Sequence, residues 1–169
     1  MQSVTLSSGR RVVIRPLRRE DGPRLQAAFA RLTPDSRYRR FLASKPQLTA
    51  GDLRQLTDVD GHRHVALVAA AAEDPDQIVG VARYFRYADD PDCAEFSIVV
   101  VDELQGQGLG GELLSRLAEA AIAAGVRRFT ALTLSDNVAA HRLFERLSRK
   151  LPRRRIDGPV QELEYDLAA

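Results

Sequence analysis

The sequence predicts a mixed α/β fold, a layered sandwich whose mostly antiparallel central sheet has about seven strands, accompanied by about four helices. After His64, short apolar runs alternate with turn residues, which is typical of antiparallel hairpins. Near residues 93–134 a strand–helix–strand unit follows, and such a unit makes its two strands parallel. The length of 169 residues suits one domain, which we assign to 1–169.

Apolar alternation and helix-capping residues define the elements of the first third of the chain. Thr49 and Asp52 resemble a capping box, with the shorter aspartate where glutamate is usual. In chain order, the signals predict a strand at 11–15 ended by Pro16, a helix capped by Asp21 with Pro23 in its first turn, a short helix from Thr33-Pro34 to Arg40, and a helix opened by Thr49.

The remaining elements follow from apolar runs and from one strongly amphipathic segment. Residues 109–124 place their leucines on one face, and Gly125 is a natural end for that helix. Asn137 is predicted to cap the last helix. The predicted strands are 65–71, 78–87, 93–101, 129–134 and 160–167, and the predicted helices are 109–124 and 138–149.

Composition excludes several classes of protein. A single cysteine, Cys93, permits neither an intramolecular disulfide nor a cysteine zinc cluster, and we predict no metal site. There is no apolar run of the ~20 residues that span a bilayer and no secretory signal, so we predict a cytoplasmic protein without membrane contact. Net charge is only +2, but it is +7 over residues 1–41, −7 over 73–103 and +6 over 141–155. An anionic ligand and plain solvated faces are both consistent with this pattern.

A glycine-rich loop lies between a predicted strand and the long helix. Glycines there let backbone N–H groups approach a ligand, and the helix dipole favours an anion. A P-loop is excluded because no lysine is near, and a dinucleotide fingerprint fits poorly because no acid follows between Glu119 and Asp136. A third pattern, Gln/Arg-x-x-Gly-x-Gly/Ala, is met by Gln105, Gly108 and Gly110. The whole loop reads Gln105-Gly106-Gln107-Gly108-Leu109-Gly110-Gly111.

With this loop, residues 93–147 resemble the GNAT superfamily of acetyl-CoA-dependent N-acetyltransferases. The order of strand, loop, leucine-rich helix, second strand and Asn137-Val138-Ala139-Ala140 segment carries the resemblance. Three further stretches resemble bacterial Pat-type protein acetyltransferases: Ser36–Phe41, Asp58–Leu67 and Ala94-Glu95-Phe96. Pat-type enzymes often carry an extra regulatory domain, and we expect none within these 169 residues.

The resemblance implies a three-layer sandwich in which two parallel central strands splay apart to admit acetyl-CoA. The pyrophosphate would lie on the N–H groups of the loop, and the pantetheine arm would pair with the strand at Ile98, Val99 and Val100. A backbone N–H near Val100 would meet the thioester carbonyl. The cofactor-binding residues it implies are Ile98, Val99, Val100, Gln105, Gly106, Gln107, Gly108, Leu109, Gly110, Gly111, Asn137 and Phe144.

Glu95 is the candidate catalytic base. An acid inside an otherwise apolar strand should be paired or functional, because burying it unpaired is costly. An alkyl ammonium is mostly protonated at neutral pH, so a carboxylate must accept its proton before the amine attacks. In Pat-type domains a matching Glu has this role. The alternative is an ion pair with Arg83 or Arg86 on the neighbouring strand.

Other roles stay unassigned or open. Many family members have a Tyr at the position of Phe144, so the general acid is missing; His141 is a substitute, although an exposed helix histidine is the plainer interpretation. Cys93 is predicted to be buried and inert, which implies direct transfer in a ternary complex. Three arginines, Arg37, Arg39 and Arg40, are open to an acidic acceptor, to the 3′-phosphate of the cofactor, or to solvent.

The function predicted is therefore N-acetyl transfer from acetyl-CoA to a primary amine, first a protein lysine. The alternatives are a small-amine acetyltransferase and a catalytically silent acyl-CoA-binding module. Nucleic-acid binding is not expected, because the basic segments lack interleaved aromatic residues and the whole chain has only ten Phe and Tyr. A homodimer is left open.

Overall fold

An eight-stranded sheet runs through the protein in the computed structural model, which describes residues 1–167. Its strands lie in the order β1-β2-β3-β4-β5-β6-β8-β7. The strands are β1 (Gln2–Thr5), β2 (Arg11–Pro16), β3 (His64–Ala71), β4 (Ile78–Arg86), β5 (Cys93–Val100), β6 (Arg128–Leu134), β7 (Arg153–Asp157) and β8 (Val160–Asp166). The α-helices are α1 (Gly22–Ala30), α2 (Pro34–Phe41), α3 (Ala50–Thr57), α4 (Leu109–Ala123) and α5 (Val138–Phe144).

The predicted mixed α/β sandwich is confirmed, with eight strands and five α-helices in place of about seven and about four. The capping box at Thr49 and Asp52 is also confirmed, since each residue's backbone N–H donates to the other's side chain. Two edge strands, β1 and β7, were not predicted. β7 is exposed along its whole length, so its sequence lacks the apolar alternation on which such predictions depend. The last helix ends at Phe144, short of the predicted Arg149, and continues only as a 3₁₀ turn.

The only parallel pair in residues 1–167 is β5 with β6, and it is short. Cys93, Ala94 and Glu95 pair with residues 128–130, and beyond that point the two strands no longer pair. On its other side β5 stays paired with β4 as far as Val100. The predicted splay between the two central strands is therefore confirmed.

Helices cover both faces of the sheet. On one face α4 buries Leu109, Leu113 and Leu117 against the central strands. A Cβ atom at Gly80 would lie 2.9 Å from Leu113 Cδ1, so the absence of a side chain there lets α4 approach the sheet closely. On the opposite face α1 and α3 pack over a second core that includes Leu25 of α1.

Asp21 anchors the second helical layer in a way the sequence did not predict. It occupies the N-cap position of α1, but its carboxylate does not cap that helix. Both oxygens instead accept from Arg15, each at 2.8 Å, and one also accepts the Arg18 N–H. Burial raises the pKa of Asp21, but these hydrogen bonds and the charges of Arg15 and Arg24 outweigh it, so the pKa lies below 3.8.

No helix in the described part of the chain is long and apolar enough to cross a membrane. Within residues 1–167 there is also no group of three His, Cys, Asp or Glu side chains that could hold a metal ion. The cytoplasmic location stays a prediction.

Replacing Asp21 by Ala should lower the free energy of unfolding by about 3 kcal/mol, because it leaves a mostly buried guanidinium without its partner. Asp76→Ala removes an exposed partner of Arg24 and should cost less than about 1 kcal/mol. Urea denaturation at neutral pH measures both changes. The folded-state pKa is lowered, so the Asp21 contribution is complete above pH 3.8 and is lost as the pH falls below it. A deficit in Asp21→Ala that persisted unchanged at pH 2 would contradict this account.

Candidate active site

The glycine loop reaches α4 from β5 through a 3₁₀ turn at Asp102–Leu104. Gly106 and Gly108 have φ angles of 74° and 93°, a left-handed conformation that glycine adopts without strain. Gly108 is the N-cap of α4, and no side chain caps the first turn of that helix. The N–H groups at the start of α4 are thus left to an external acceptor, and the helix dipole favours a negatively charged one.

The loop forms one wall of a cleft between the diverging ends of β5 and β6. The cleft holds about 1810 Å³ of space between atoms and is partly open to solvent. Most of the residues predicted to bind the cofactor line this cleft, and Gln107 and Leu109 do not. Those that line it are Ile98, Val99, Val100, Gln105, Gly106, Gly108, Gly110, Gly111, Asn137 and Phe144.

The two exceptions in the loop have structural contacts. Gln107 accepts a hydrogen bond from the Ser8 hydroxyl at 2.5 Å and donates to the Glu103 carbonyl at 3.0 Å. Leu109 is buried in the core beneath α4. Any contribution of these two positions to ligand binding must therefore come from their main chain.

Two arginines that the sequence did not single out also line the cleft, Arg142 and Arg146. Arg146 lies over the loop so closely that a Cβ atom at Gly111 would overlap its guanidinium. Because these arginines are four residues apart and follow a predicted helix cap, the sequence could have placed them on one helix face. Together with the loop N–H groups they make this end of the cleft suitable for an anion.

Polar side chains tie α2 to the loop. Asp102 accepts from the Thr33 N–H at 3.1 Å, from the Thr33 hydroxyl at 3.0 Å and from the Ser36 hydroxyl at 2.8 Å. Burial raises the pKa of Asp102, but these hydrogen bonds outweigh it, and the pKa lies below 3.8. Gln105 donates its side-chain amide to the Val100 carbonyl at 3.0 Å, on the strand that lines the cleft.

The last helix supplies another side of the cleft. Asn137 caps α5 as predicted, its side-chain oxygen accepting the Ala140 N–H at 3.2 Å. Phe144 is 5% exposed and packs edge-on against Phe96, so this position is apolar. His141 is half-buried, not exposed as expected, and its Nε2 lies 3.3 Å from the Leu134 carbonyl outside the cleft lining.

Glu95 is half-buried and is not itself among the residues that line the cleft, although its strand neighbours Phe96 and Ser97 are. Strand register puts it in one row with His64, Phe85 and Thr130. The Tyr87 hydroxyl lies 3.5 Å from Glu95 Oε2 and 2.8 Å from Thr130 Oγ1. Sequence patterns gave no sign of this contact, because Tyr87 reaches Glu95 and Thr130 across strands.

The expected alternative for Glu95, an ion pair with Arg83 or Arg86, is wrong. Arg83 donates to the Leu56 carbonyl at 2.7 Å, and Arg86 donates to the Ala124 carbonyl. Within residues 1–167 no arginine or lysine nitrogen lies within the 4.0 Å ion-pair distance of the Glu95 carboxylate. Its carboxylate is therefore available to another group.

The three arginines of α2 differ in their surroundings. Arg37 donates to the Pro46 and Ala30 carbonyls and stacks on Phe29, which makes it structural. Arg39 is paired with Asp35 and Asp136 at the edge of the cleft. Arg40 lines the cleft and also a neighbouring apolar cavity beneath α1. Burial lowers the pKa of Arg40 to about 10, although the charge of Glu95 opposes the shift.

Cys93 is 3% exposed, and burial raises the pKa of its thiol to about 11. The prediction of a buried cysteine is confirmed. At neutral pH the thiol stays protonated and is a poor nucleophile.

Comparison with known proteins agrees with this geometry. Residues 26–148 match the acetyltransferase (GNAT) family. The acetyltransferase PA5475 of Pseudomonas aeruginosa is 35% identical over 136 residues, which cover 80% of this chain and 73% of that protein.

Two relatives carry the name Pat. The acetyltransferase Pat of Mycolicibacterium smegmatis is 30% identical over 145 residues, covering 85% of this chain but only 43% of that protein. The crystal structure of the GNAT domain of S. lividans PAT superposes with a TM-score of 0.87 at 29% identity, covering 98% of this chain and 96% of that one.

Replacing Asp102 by Ala should loosen α2, because three hydrogen bonds from Thr33 and Ser36 lose their acceptor. We expect a local cost of about 1–3 kcal/mol and hydrogen exchange in 34–41 faster by about tenfold or more. Mass-spectrometric hydrogen exchange measures this. Glu103→Ala removes the adjacent carboxylate, which pairs with Arg31 instead, and should leave α2 exchange unchanged. Equal hydrogen-exchange rates of α2 in both variants would show that Asp102 does not hold α2 in place.

Proposed function

The chain belongs to the acetyltransferase (GNAT) family, and we propose that it acetylates a primary amine, first of all a lysine side chain of a protein, by direct attack in a ternary complex. Membership makes it an acetyl-CoA-dependent acyltransferase. The lysine acceptor is supported by similarity to proteins named Pat. A small amine is the second candidate.

The observation that carries the proposal is the splay of β5 from β6 above the glycine loop. Past Glu95 the two strands stop pairing, so the edge of β5 faces an open cleft. A backbone edge of this kind is suited to pairing with an extended amide-containing chain, such as the pantetheine arm of acetyl-CoA. The N–H groups at the start of α4 lie on the same cleft, where the pyrophosphate would bind.

The side chains of the cleft fit the rest of acetyl-CoA. Arg142 and Arg146 would neutralise phosphate charge beside the loop. Leu132 and Val138 line the cleft yet are 45% and 56% exposed, which leaves apolar surface for a ligand to cover. Acetyl-CoA, when bound, supplies an activated acetyl group as a thioester. Ile98, Val99 and Val100 would orient it through their main chain.

Glu95 acts as the general base in this proposal. The acceptor arrives as an ammonium with a pKa near ~10.4, and only the neutral amine can attack. The unpaired carboxylate of Glu95 accepts the proton, directly or through a water. The amine nitrogen then bonds to the acetyl carbon as the C–S bond breaks, CoA leaves as the thiolate, and the nitrogen releases its second proton to solvent as the amide forms. A backbone N–H near Val100 donates to the thioester carbonyl oxygen.

Direct transfer is supported by the state of Cys93. Its buried, protonated thiol is unsuited to forming an acetyl-enzyme. Phe144 offers no proton to the departing thiolate, and His141 Nε2 lies against the Leu134 carbonyl, so no general acid is assigned.

Calorimetric titration with acetyl-CoA tests the cleft. The wild type should bind saturably, and Gly108→Glu should lose binding because a carboxylate would enter the anion site. Gly158→Glu is the control: Gly158 also has a positive φ, 59°, but lies in the β7–β8 turn, so the same substitution is made away from the cleft and binding should persist. If the folded wild type did not bind acetyl-CoA, the proposed function would be wrong. If Gly108→Glu bound it equally well, the loop would not be part of the binding site.

Replacing Glu95 by Gln should lower kcat about 100- to 10,000-fold while acetyl-CoA affinity stays within about twofold. The residual rate should rise about tenfold per pH unit between pH 7 and 10, because solvent then deprotonates the amine. Glu119→Gln, an exposed change on α4, should leave kcat unchanged. Steady-state kinetics measures these rates, and unchanged turnover in Glu95→Gln would remove Glu95 as the base.

A further inference from the structure

A buried arginine, Arg83, and a half-buried one, Arg40, line one cavity near Glu95, and neither has a carboxylate partner of its own. Arg83, on β4, is 3% exposed, and strand pairing puts it opposite Ser97. Arg40 approaches from α2 and is only half-buried. Within residues 1–167 no carboxylate lies at ion-pair distance, 4.0 Å, from either guanidinium. Unpaired buried charge is costly, and such charge clusters at functional sites.

His64 does not offset this charge. Its Nε2 lies 3.1 Å from Arg83 Nη1, a donor, so Nε2 accepts and Nδ1 donates to the Asp58 carbonyl at 2.9 Å. Burial and the charge of Arg83 lower the pKa of His64 and keep the ring neutral. Burial lowers the pKa of Arg83 itself to about 9, and the charge of Arg40 adds to that shift.

The carboxylates nearby leave an excess of positive charge. Glu95 is close enough to interact with Arg40, but it is one anion facing two cations. Asp60 lies on the far side of His64, where its carboxylate accepts three backbone N–H groups, from residues 62–64. The region around Arg40 and Arg83 therefore carries a net positive charge at neutral pH.

Arg40 and Arg83 both line one cavity beneath α1, whose surface is almost wholly apolar. Its other walls are aliphatic and aromatic, among them Leu25 and Phe29. Arg40 lines both this cavity and the large cleft, so the cavity adjoins the site where the acetyl group would be transferred. A ligand group that enters from the cleft would meet both arginines in an environment with few competing polar groups.

We propose that Arg40 and Arg83 form a subsite for a carboxylate of the acceptor, so that the enzyme selects amines with an anionic group near the reacting nitrogen. This inference rests on the proposed function. Arg83 is the diagonal cross-strand neighbour of Glu95, at a typical separation of about 7–8 Å. The ammonium would be drawn to Glu95 and the carboxylate to the arginines, which fixes the orientation of the acceptor. The carboxylate comes from an acidic residue next to the target lysine or from a small amino acid.

Binding of butyrate, with butanol as the neutral probe, tests the subsite without any need for turnover. Calorimetry should show butyrate binding at least about tenfold tighter than butanol to the wild type. Arg40→Gln should abolish that preference, and Arg40→Lys should retain part of it. Arg54→Gln removes an exposed arginine of α3 and is the control that should retain all of it. Arg40 is chosen because Arg83 also ties the end of α3 to the sheet. An equal affinity for butyrate and butanol, or a preference that survives in Arg40→Gln, would overturn the subsite.

Acceptor kinetics then identify the source of the carboxylate. Peptides that contain Lys-Glu or Lys-Gln form one pair, and 4-aminobutyrate with 4-aminobutanamide forms the other. We expect kcat/KM to favour the anionic member of one pair by about tenfold, and Arg40→Gln to remove that preference. The peptide pair identifies a protein acceptor and the other pair a small one. Turnover without preference in either pair would overturn the subsite. No turnover with any amine would refute the proposed function instead and leave the butyrate result to decide the subsite.

Discussion

The short pairing of β5 with β6 is the constraint on which the rest of the site depends. Three residue pairs hold the strands together, and the chain then diverges with backbone groups that β6 no longer satisfies. Gln105 meets one of them by donating to the Val100 carbonyl. The same divergence brings the start of α4, with its uncapped N–H groups, to the mouth of the opening. One irregularity of the sheet thus creates both the exposed strand edge and the anion site.

The positive charge that phosphates would need and the carboxylate that an ammonium would need lie on different elements of the fold. The loop, α5 and the following turn gather positive potential where phosphates would bind, and Glu95 stands on β5 without an ion-pair partner. Had Arg83 or Arg86 paired with Glu95, the carboxylate would have been unsuited to taking a proton from an ammonium. Both arginines instead donate to main-chain carbonyls, Arg83 to Leu56 and Arg86 to Ala124, and neither forms an ion pair with Glu95. Carbonyls at the C-terminal ends of α3 and α4 therefore leave the Glu95 carboxylate without an ion-pair partner.

Local sequence patterns predicted the features that depend on residues close together in the chain, and few of the others. The leucine face of α4, the capping box at Thr49 and the Asn137 cap follow from short-range rules and are confirmed. The splay followed from the family resemblance. The carboxylate of Asp21 binds the mostly buried guanidinium of Arg15 and does not cap α1. The contact of His64 with Arg83 depends on strand register. The exposed strand β7 has no apolar periodicity to read. Pairing between charged residues that are distant in the chain is thus the feature of the site that a single sequence does not predict.

Cys93 and Glu95, the two titratable side chains of β5, differ in burial although they are close in sequence. Cys93 and Glu95 are two residues apart and point to the same face of the strand. Cys93 lies where the sheet is still closed by β6, and burial raises the pKa of its thiol to about 11. Glu95 occupies the last paired position, where the cleft begins and its side chain is half-buried. A shift of the splay by two residues toward the start of β5 would uncover the thiol. The point at which the strands part therefore favours direct attack by the amine over an acetyl-cysteine route.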